Sequence, residues 1–174
     1  MSALTLDRLI TLLREYVQQT GTRLDLLLVG RLALSAYGAE TPETEDLDAE
    51  LAGDFDQLVT FLKQHQVPTN LSENISGWSV IAMPPGYRER AMVFVEQPGL
   101  RVRLLAPVDF IIAKLRRGTE QDLDDAAFVA RKFAVPAGAV QTVAEQAIAA
   151  SPKDTALFAF RQVVELFCRR IHTR

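Results

Sequence analysis

Apolar residues recur along this chain with two periods, and the changes from one period to the other mark out its elements. From Thr5 to about Gln19, Leu6, Leu9, Ile10, Leu13 and Val17 fall on one face of a helix, with Thr5 placed to cap its start and Gly21 to end it. Leu24 to Val29 is short and nearly continuously apolar, the pattern of a strand buried on both faces. Asp46 to Leu51 alternates: Leu47, Ala49 and Leu51 point one way, Asp46, Asp48 and Glu50 the other. Between the two strands, Leu32 to Tyr37 reads as a short helix closed by Gly38, and Ala39 to Glu43 as a loop broken by Thr41 and Pro42.

Helical spacing returns after Asp54, a capping residue, with Phe55, Leu58, Val59, Phe61 and Leu62 on the buried side up to His65. Ile75 to Met83 reads as a strand containing Trp78, and Pro84-Pro85-Gly86 as a turn. Arg90 to Glu96 and Leu100 to Leu105 read as antiparallel strands joined through Gln97-Pro98-Gly99. Pro107 then opens a helix at its first position, where a missing N–H costs nothing. The remainder is helical over Thr119 to Lys132, Pro136 to Ala149 and Asp154 to about Ile171. The last of these is strongly apolar through Leu157, Phe158, Phe160, Val164, Leu166 and Phe167. The order predicts an α+β (α/β) fold: a small mixed or antiparallel sheet flanked by helices, followed by a C-terminal helical bundle. The expected division is an α/β core over 1–106 and a helical region over 107–174 packed on it.

Composition narrows the classes of function. With 174 residues and 48% hydrophobic content, the chain can bury a real core as one domain or one domain with a helical appendage. A net charge of −3, with no basic run, argues against a protein that grips nucleic-acid backbones by charge alone. Arg88, Arg90, Arg101, Arg103, Arg116 and Arg117 do fall within one third of the chain, either as a local patch or as solvated charges on several faces. The one cysteine, Cys168, excludes an internal disulfide framework; it suits a small buried hydrophobe and a reducing compartment. His65, among Lys63, Gln64 and Gln66, has no spaced partner and is expected to be exposed and inert. The first residues lack the basic and apolar regions of a signal peptide, and no apolar run is long enough to cross a bilayer, so the expected location is cytoplasmic with no membrane partner.

The chemistry concentrates in the acidic strand. Carboxylates two residues apart on one strand face are about 7 Å apart, a costly row of like charge unless something positive stands before it. Mg²⁺ suits this place, since it takes one or two protein carboxylates and leaves its other positions to water and phosphate. The turn at Gly30, leading from a strand into a helix, offers backbone N–H groups aimed at an anion. Together the two pieces describe a metal and triphosphate site.

Three stretches carry a family resemblance: Leu26-Leu27-Leu28-Val29-Gly30-Arg31-Leu32-Ala33-Leu34, the strand with Asp46 and Asp48, and Leu105 to Leu115 with Asp122 and Asp125 downstream. The order of an apolar strand, a glycine turn, a short helix, a loop and a strand with Asp-x-Asp resembles the nucleotidyltransferase superfamily, the polymerase-beta-like fold. More narrowly it resembles small bacterial members of poorly defined function, some of them toxin halves of toxin-antitoxin or abortive-infection pairs. The resemblance spans roughly Leu24 to Phe133. It implies a Mg²⁺-dependent transferase moving a nucleoside monophosphate from a nucleoside triphosphate to a hydroxyl of RNA, a protein or a small molecule, and, where the member is a toxin, an antitoxin as its partner.

Carried onto this chain, the resemblance makes Asp46 and Asp48 the metal ligands and catalytic carboxylates, with Gly30 and the following amides around the β and γ phosphates. Lys114 becomes a charge on the triphosphate, or else a solvated residue near a helix end. Two positions depart from the family pattern. Arg31 stands where a second Gly or a Ser is usual, its bulk crowding the triphosphate or its charge binding it. Active members also draw a third carboxylate from a neighbouring strand, and the expected strand, Trp78 to Met83, has Ser79 at that place; Glu50 and Glu96 are the other candidates. Asp109 reads as a first-turn helix acid, and Asp122, Asp124 and Asp125 as residues facing solvent or pairing with arginines. An alternative follows: a nucleotidyltransferase fold that has lost turnover and binds a nucleotide or a protein.

Overall fold

The structure, a computed structural model, describes residues 4–40, 44 and 46–172. The chain divides into two compact units, Met1–Ile75 with Ala91–Leu104, and Ser76–Arg90 with Leu105–Arg174.

The first unit holds a five-stranded mixed sheet. Its strands are β1 (Leu24–Leu28), β2 (Leu47–Leu51), β3 (Thr69–Ser72), β4 (Met92–Gln97) and β5 (Leu100–Leu104), in the order β3-β2-β1-β5-β4. β1 runs antiparallel to β2 and parallel to β5, β3 is parallel to β2, and β4 and β5 form the antiparallel hairpin. The central place of β1 explains its apolarity: Leu24, Leu26, Leu27 and Leu28 are all buried.

Helix α1 (Leu6–Thr20) belongs to the same unit. The Thr5 hydroxyl accepts the Arg8 N–H at 3.2 Å, and Gly21, at φ +67°, returns its N–H to the Val17 carbonyl. Its apolar stripe buries Leu9, Ile10 and Leu13. Helix α2 (Gly30–Ala36) follows β1, and α3 (Asp56–Gln64) follows β2, with Asp54 accepting the Asp56 N–H at 3.0 Å. Thr41 to Glu43 of the expected loop lies outside the described residues.

The second unit is largely helical: α4 (Pro107–Leu115), α5 (Glu120–Lys132), α6 (Ala137–Ala149) and α7 (Ala156–His172). Helix α5 starts with a capping box in which Thr119 and Asp122 exchange side-chain and backbone hydrogen bonds. Helix α7 buries Phe160, Val164, Phe167 and Cys168 and leaves Phe158 and Leu166 exposed. Among the described residues, no helix is long and apolar enough to cross a membrane.

The expected strand over Ile75 to Met83 does not form. Ile75–Trp78 is a 3₁₀ turn, and the chain then bends as far as Pro84. Side chains take the backbone groups that a ladder would have paired. Ser76 Oγ accepts the Met83 N–H at 2.8 Å, Ser79 Oγ that of Ile81 at 3.1 Å, and Ser151 Oγ that of Ala82 at 2.8 Å. The Arg116 guanidinium donates to the carbonyls of Ser76 and Ile81 at 2.8 and 2.7 Å. The short β3, four residues with one apolar side chain, supplies the sheet edge instead.

Candidate functional site

β1 and β2 are in register so that Leu28 faces Ala49, and the ladder runs one step further as the Val29 N–H donates to the Asp48 carbonyl at 3.1 Å. The chain then turns at Gly30, φ +70°, into α2. A Cβ at Gly30 would run into Asp48 Oδ2 and stand 3.1 Å from Asp48 Cβ and Cγ. The Asp48 carboxylate therefore occupies the space a side chain would fill, and only glycine combines that fit with a left-handed backbone. Arg31, the second residue of α2, is exposed.

The acidic strand forms over Leu47–Leu51, one residue shorter than expected, with Asp46 in the bend before it. Leu47, Ala49 and Leu51 are buried, Asp48 is half-buried and Asp46 is exposed; Glu50, expected in an outward row of carboxylates, is buried instead. Each carboxylate has a different polar neighbour. The Thr44 hydroxyl donates to Asp46 Oδ1 at 3.0 Å, and the Asn70 amide donates to Asp48 Oδ1 at 3.1 Å. Glu50 Oε2 accepts the Ile75 N–H at 2.9 Å, an inward-facing bond that holds Ile75 to β2. Glu45 lies outside the described residues.

The neighbour of Asp48 on the adjacent strand is an amide rather than an acid. β3 lies parallel to β2 with Asn70 opposite Asp48. Sequence reasoning passed over Asn70 because β3 has neither alternation nor β-branched runs to announce it. Ser79, sought as the third-acid position, sits in the bent segment with its hydroxyl used locally. Glu96 is exposed and accepts from Nε and Nη2 of Arg101 at 2.8 Å each, which hold its carboxyl below the usual range. Among the described residues, no group of three or more His, Cys, Asp or Glu side chains is gathered as a metal site.

In the helical unit, Lys114 is buried, with Nζ 2.8 Å from Asp125 Oδ2 and 3.6 Å from Asp122 Oδ1. Asp122 is fully buried, accepts both ends of the Arg117 fork at 2.7 Å and takes the Thr119 hydroxyl at 2.7 Å. Burial works to raise its pKa, but these hydrogen bonds, with the charges of Arg117 and Lys114, hold it below the ordinary carboxylate range. Asp124 pairs with Arg170, and Asp125 also accepts from Gln121 at 2.8 Å. Asp109, expected as a first-turn acid beside the helix dipole, is fully buried, and Arg90 grips it through two bonds of 2.8 and 2.9 Å.

The arginines of this third of the chain are engaged within their own units. Arg101 and Arg103 pair with Glu96 and Asp25, Arg90 with Asp109 and Arg117 with Asp122. Arg88 lies 4.8 Å over the Tyr87 ring, and burial pushes the Arg116 guanidinium down to about 10.

The first unit thus brings Gly30, Asp48 and Asn70 together at the β1–α2 turn, with Asp46 two residues before Asp48 in the bend that leads into β2. Carboxylates are hard oxygen donors of the kind Mg²⁺ accepts, one or two from a protein, and the glycine turn lets Asp48 sit against the start of a helix. Residues 4–135 match the model of a family described as "Nucleotidyltransferase of unknown function (DUF6036)". No curated protein matches the chain.

Proposed function

The chain belongs to this nucleotidyltransferase family, and from that premise we propose that it moves a nucleoside monophosphate from a nucleoside triphosphate to a hydroxyl on RNA, a protein or a small molecule. The single observation that carries the reading is the packing of the Asp48 carboxylate against Gly30, with exposed Asp46 two residues before it in the bend that leads into β2. Asp46 and Asp48 would hold Mg²⁺. A bound Mg²⁺ offsets the charge that develops on the phosphates during transfer. Asp48 enters that arrangement already oriented, by Asn70 on one oxygen and by the glycine turn on the other. Exposed Arg31, one residue beyond the turn, is placed to meet phosphate oxygens with a forked guanidinium. Lys114 has its charge met by Asp125 and Asp122. We assign it to holding α4 against α5.

A second reading, a nucleotide- or protein-binding module without turnover, draws on Asn70 standing beside Asp48 where an acid would complete a larger metal cluster. Incubation with Mg²⁺, α-labelled nucleoside triphosphates, and RNA or protein extracts separates the two. The transferase reading expects label on an acceptor, and none with an Asp46→Asn, Asp48→Asn variant that is folded. Labelling by that variant would overturn the assignment of the carboxylates. Nucleotide binding without label transfer would select the second reading.

A further inference from the structure

We propose that Asn70 is a positioning residue that fixes the Asp48 carboxylate for a single divalent ion. The inference rests on the metal reading of Asp46 and Asp48 given above. An ionised carboxylate can only accept hydrogen bonds, so the amide NH₂ of Asn70 must be the group turned toward Asp48 Oδ1, as its 3.1 Å contact has it. The two residues are opposite one another in the parallel β2–β3 register. The approach is therefore set by the sheet rather than by a flexible loop. On its other side Asp48 Oδ2 is against Gly30, where no side chain can intervene. A hydrogen bond from an amide and a metal ion can share one carboxylate, since each of its oxygens carries two lone pairs.

Asn70 also decides the charge of the site. An acid at this position would put a third negative group beside Asp48, the condition for a second divalent ion. An amide of nearly the same shape supplies orientation without charge. Glu50, the next acid along β2, faces inward to the Ile75 N–H. Among the described residues, Asp46 and Asp48 with one neutral support are the complement of one ion rather than two.

The test is Mn²⁺ binding to the full chain without nucleotide, followed by electron paramagnetic resonance and calorimetry, with melting temperature as the check on folding. The wild type is expected to bind one Mn²⁺. Asn70→Ala is expected to keep that stoichiometry with about 10-fold weaker affinity and a broadened bound-Mn²⁺ signal, the usual effect of losing a supporting hydrogen bond to a ligand. Asn70→Asp is expected to bind a second ion. Wild-type affinity in Asn70→Ala, while Asp48→Asn abolishes binding, would overturn the role of Asn70 and leave the metal reading standing. Two ions in the wild type would overturn the single-ion assignment, and one in Asn70→Asp would overturn the claim that the neutral Asn70 sets the number of ions. No Mn²⁺ bound by the wild type would overturn the metal reading itself, and this inference with it.

Discussion

Asp48 and Gly30 share one space: the aspartate carboxylate stands where a side chain at position 30 would be, 3.1 Å from its Cγ to the place of that missing Cβ. The glycine also holds a φ of +70°. Gly30→Ala combines a left-handed backbone with a clash, and a loss of roughly 1–3 kcal/mol is expected. Urea unfolding measures it. In an Asp48→Ala background the carboxylate is gone, and the same substitution is expected to cost less; equal costs in both backgrounds would mean the contact carries no energy.

The Arg90–Asp109 pair predicts an asymmetry. Arg90 is 39% exposed and Asp109 is 0% exposed. Arg90→Ala leaves a buried carboxylate without its fork and is expected to cost about 3–5 kcal/mol. Asp109→Ala leaves a cation that water can reach, and about 1–3 kcal/mol is expected. Unfolding midpoints at equal m-values give the comparison, and a larger loss from Asp109→Ala would contradict the burial argument.

Asp122 links stability to pH. Its folded pKa lies below the ordinary value despite burial, because Arg117, Thr119 and Lys114 favour the charged form. A lowered carboxylate pKa contributes stability that is present near neutrality and is lost as pH falls through the ordinary carboxylate range to the lowered value. The stability gap between wild type and Asp122→Asn is therefore expected to be widest near neutral pH and to close in acid. A gap that widens in acid would reverse the sign.

Cys168 is buried in α7, and burial pushes its thiol above the ordinary range. Reaction with a disulfide reagent at neutral pH is expected to be slow in the native protein and fast in urea, since the thiolate is the nucleophile. Equal rates in the two conditions would place the thiol at the surface.

The parts of the fold that periodicity announces were readable from the chain. The amphipathic stripe and caps of α1, the apolar β1, the alternating β2 and the hairpin around Pro98-Gly99 all correspond to expected elements. The segment from Ile75 to Met83 misled because its apolar residues satisfy strand spacing, while what decides its path is distant: Arg116 and Ser151 take its backbone groups. β3 was missed because pairing with β2, not its own composition, makes it a strand. At the candidate site, the carboxylate face of β2 and the glycine turn were legible as separate pieces. Their contact was not, and neither was Asn70, since register across strands leaves no mark within either one. Lys114 and Asp109 were legible as charged helix residues; the burial that commits them to Asp125 and Arg90 is a property of packing.

Calorimetric titration with each Mg²⁺-nucleoside triphosphate, run on the wild type and on a folded Asp46→Asn, Asp48→Asn variant, bears most directly on the central claim. The account predicts binding that requires Mg²⁺ and disappears in the variant. Binding to none of the nucleotides, or binding that persists when both carboxylates are gone, would contradict it.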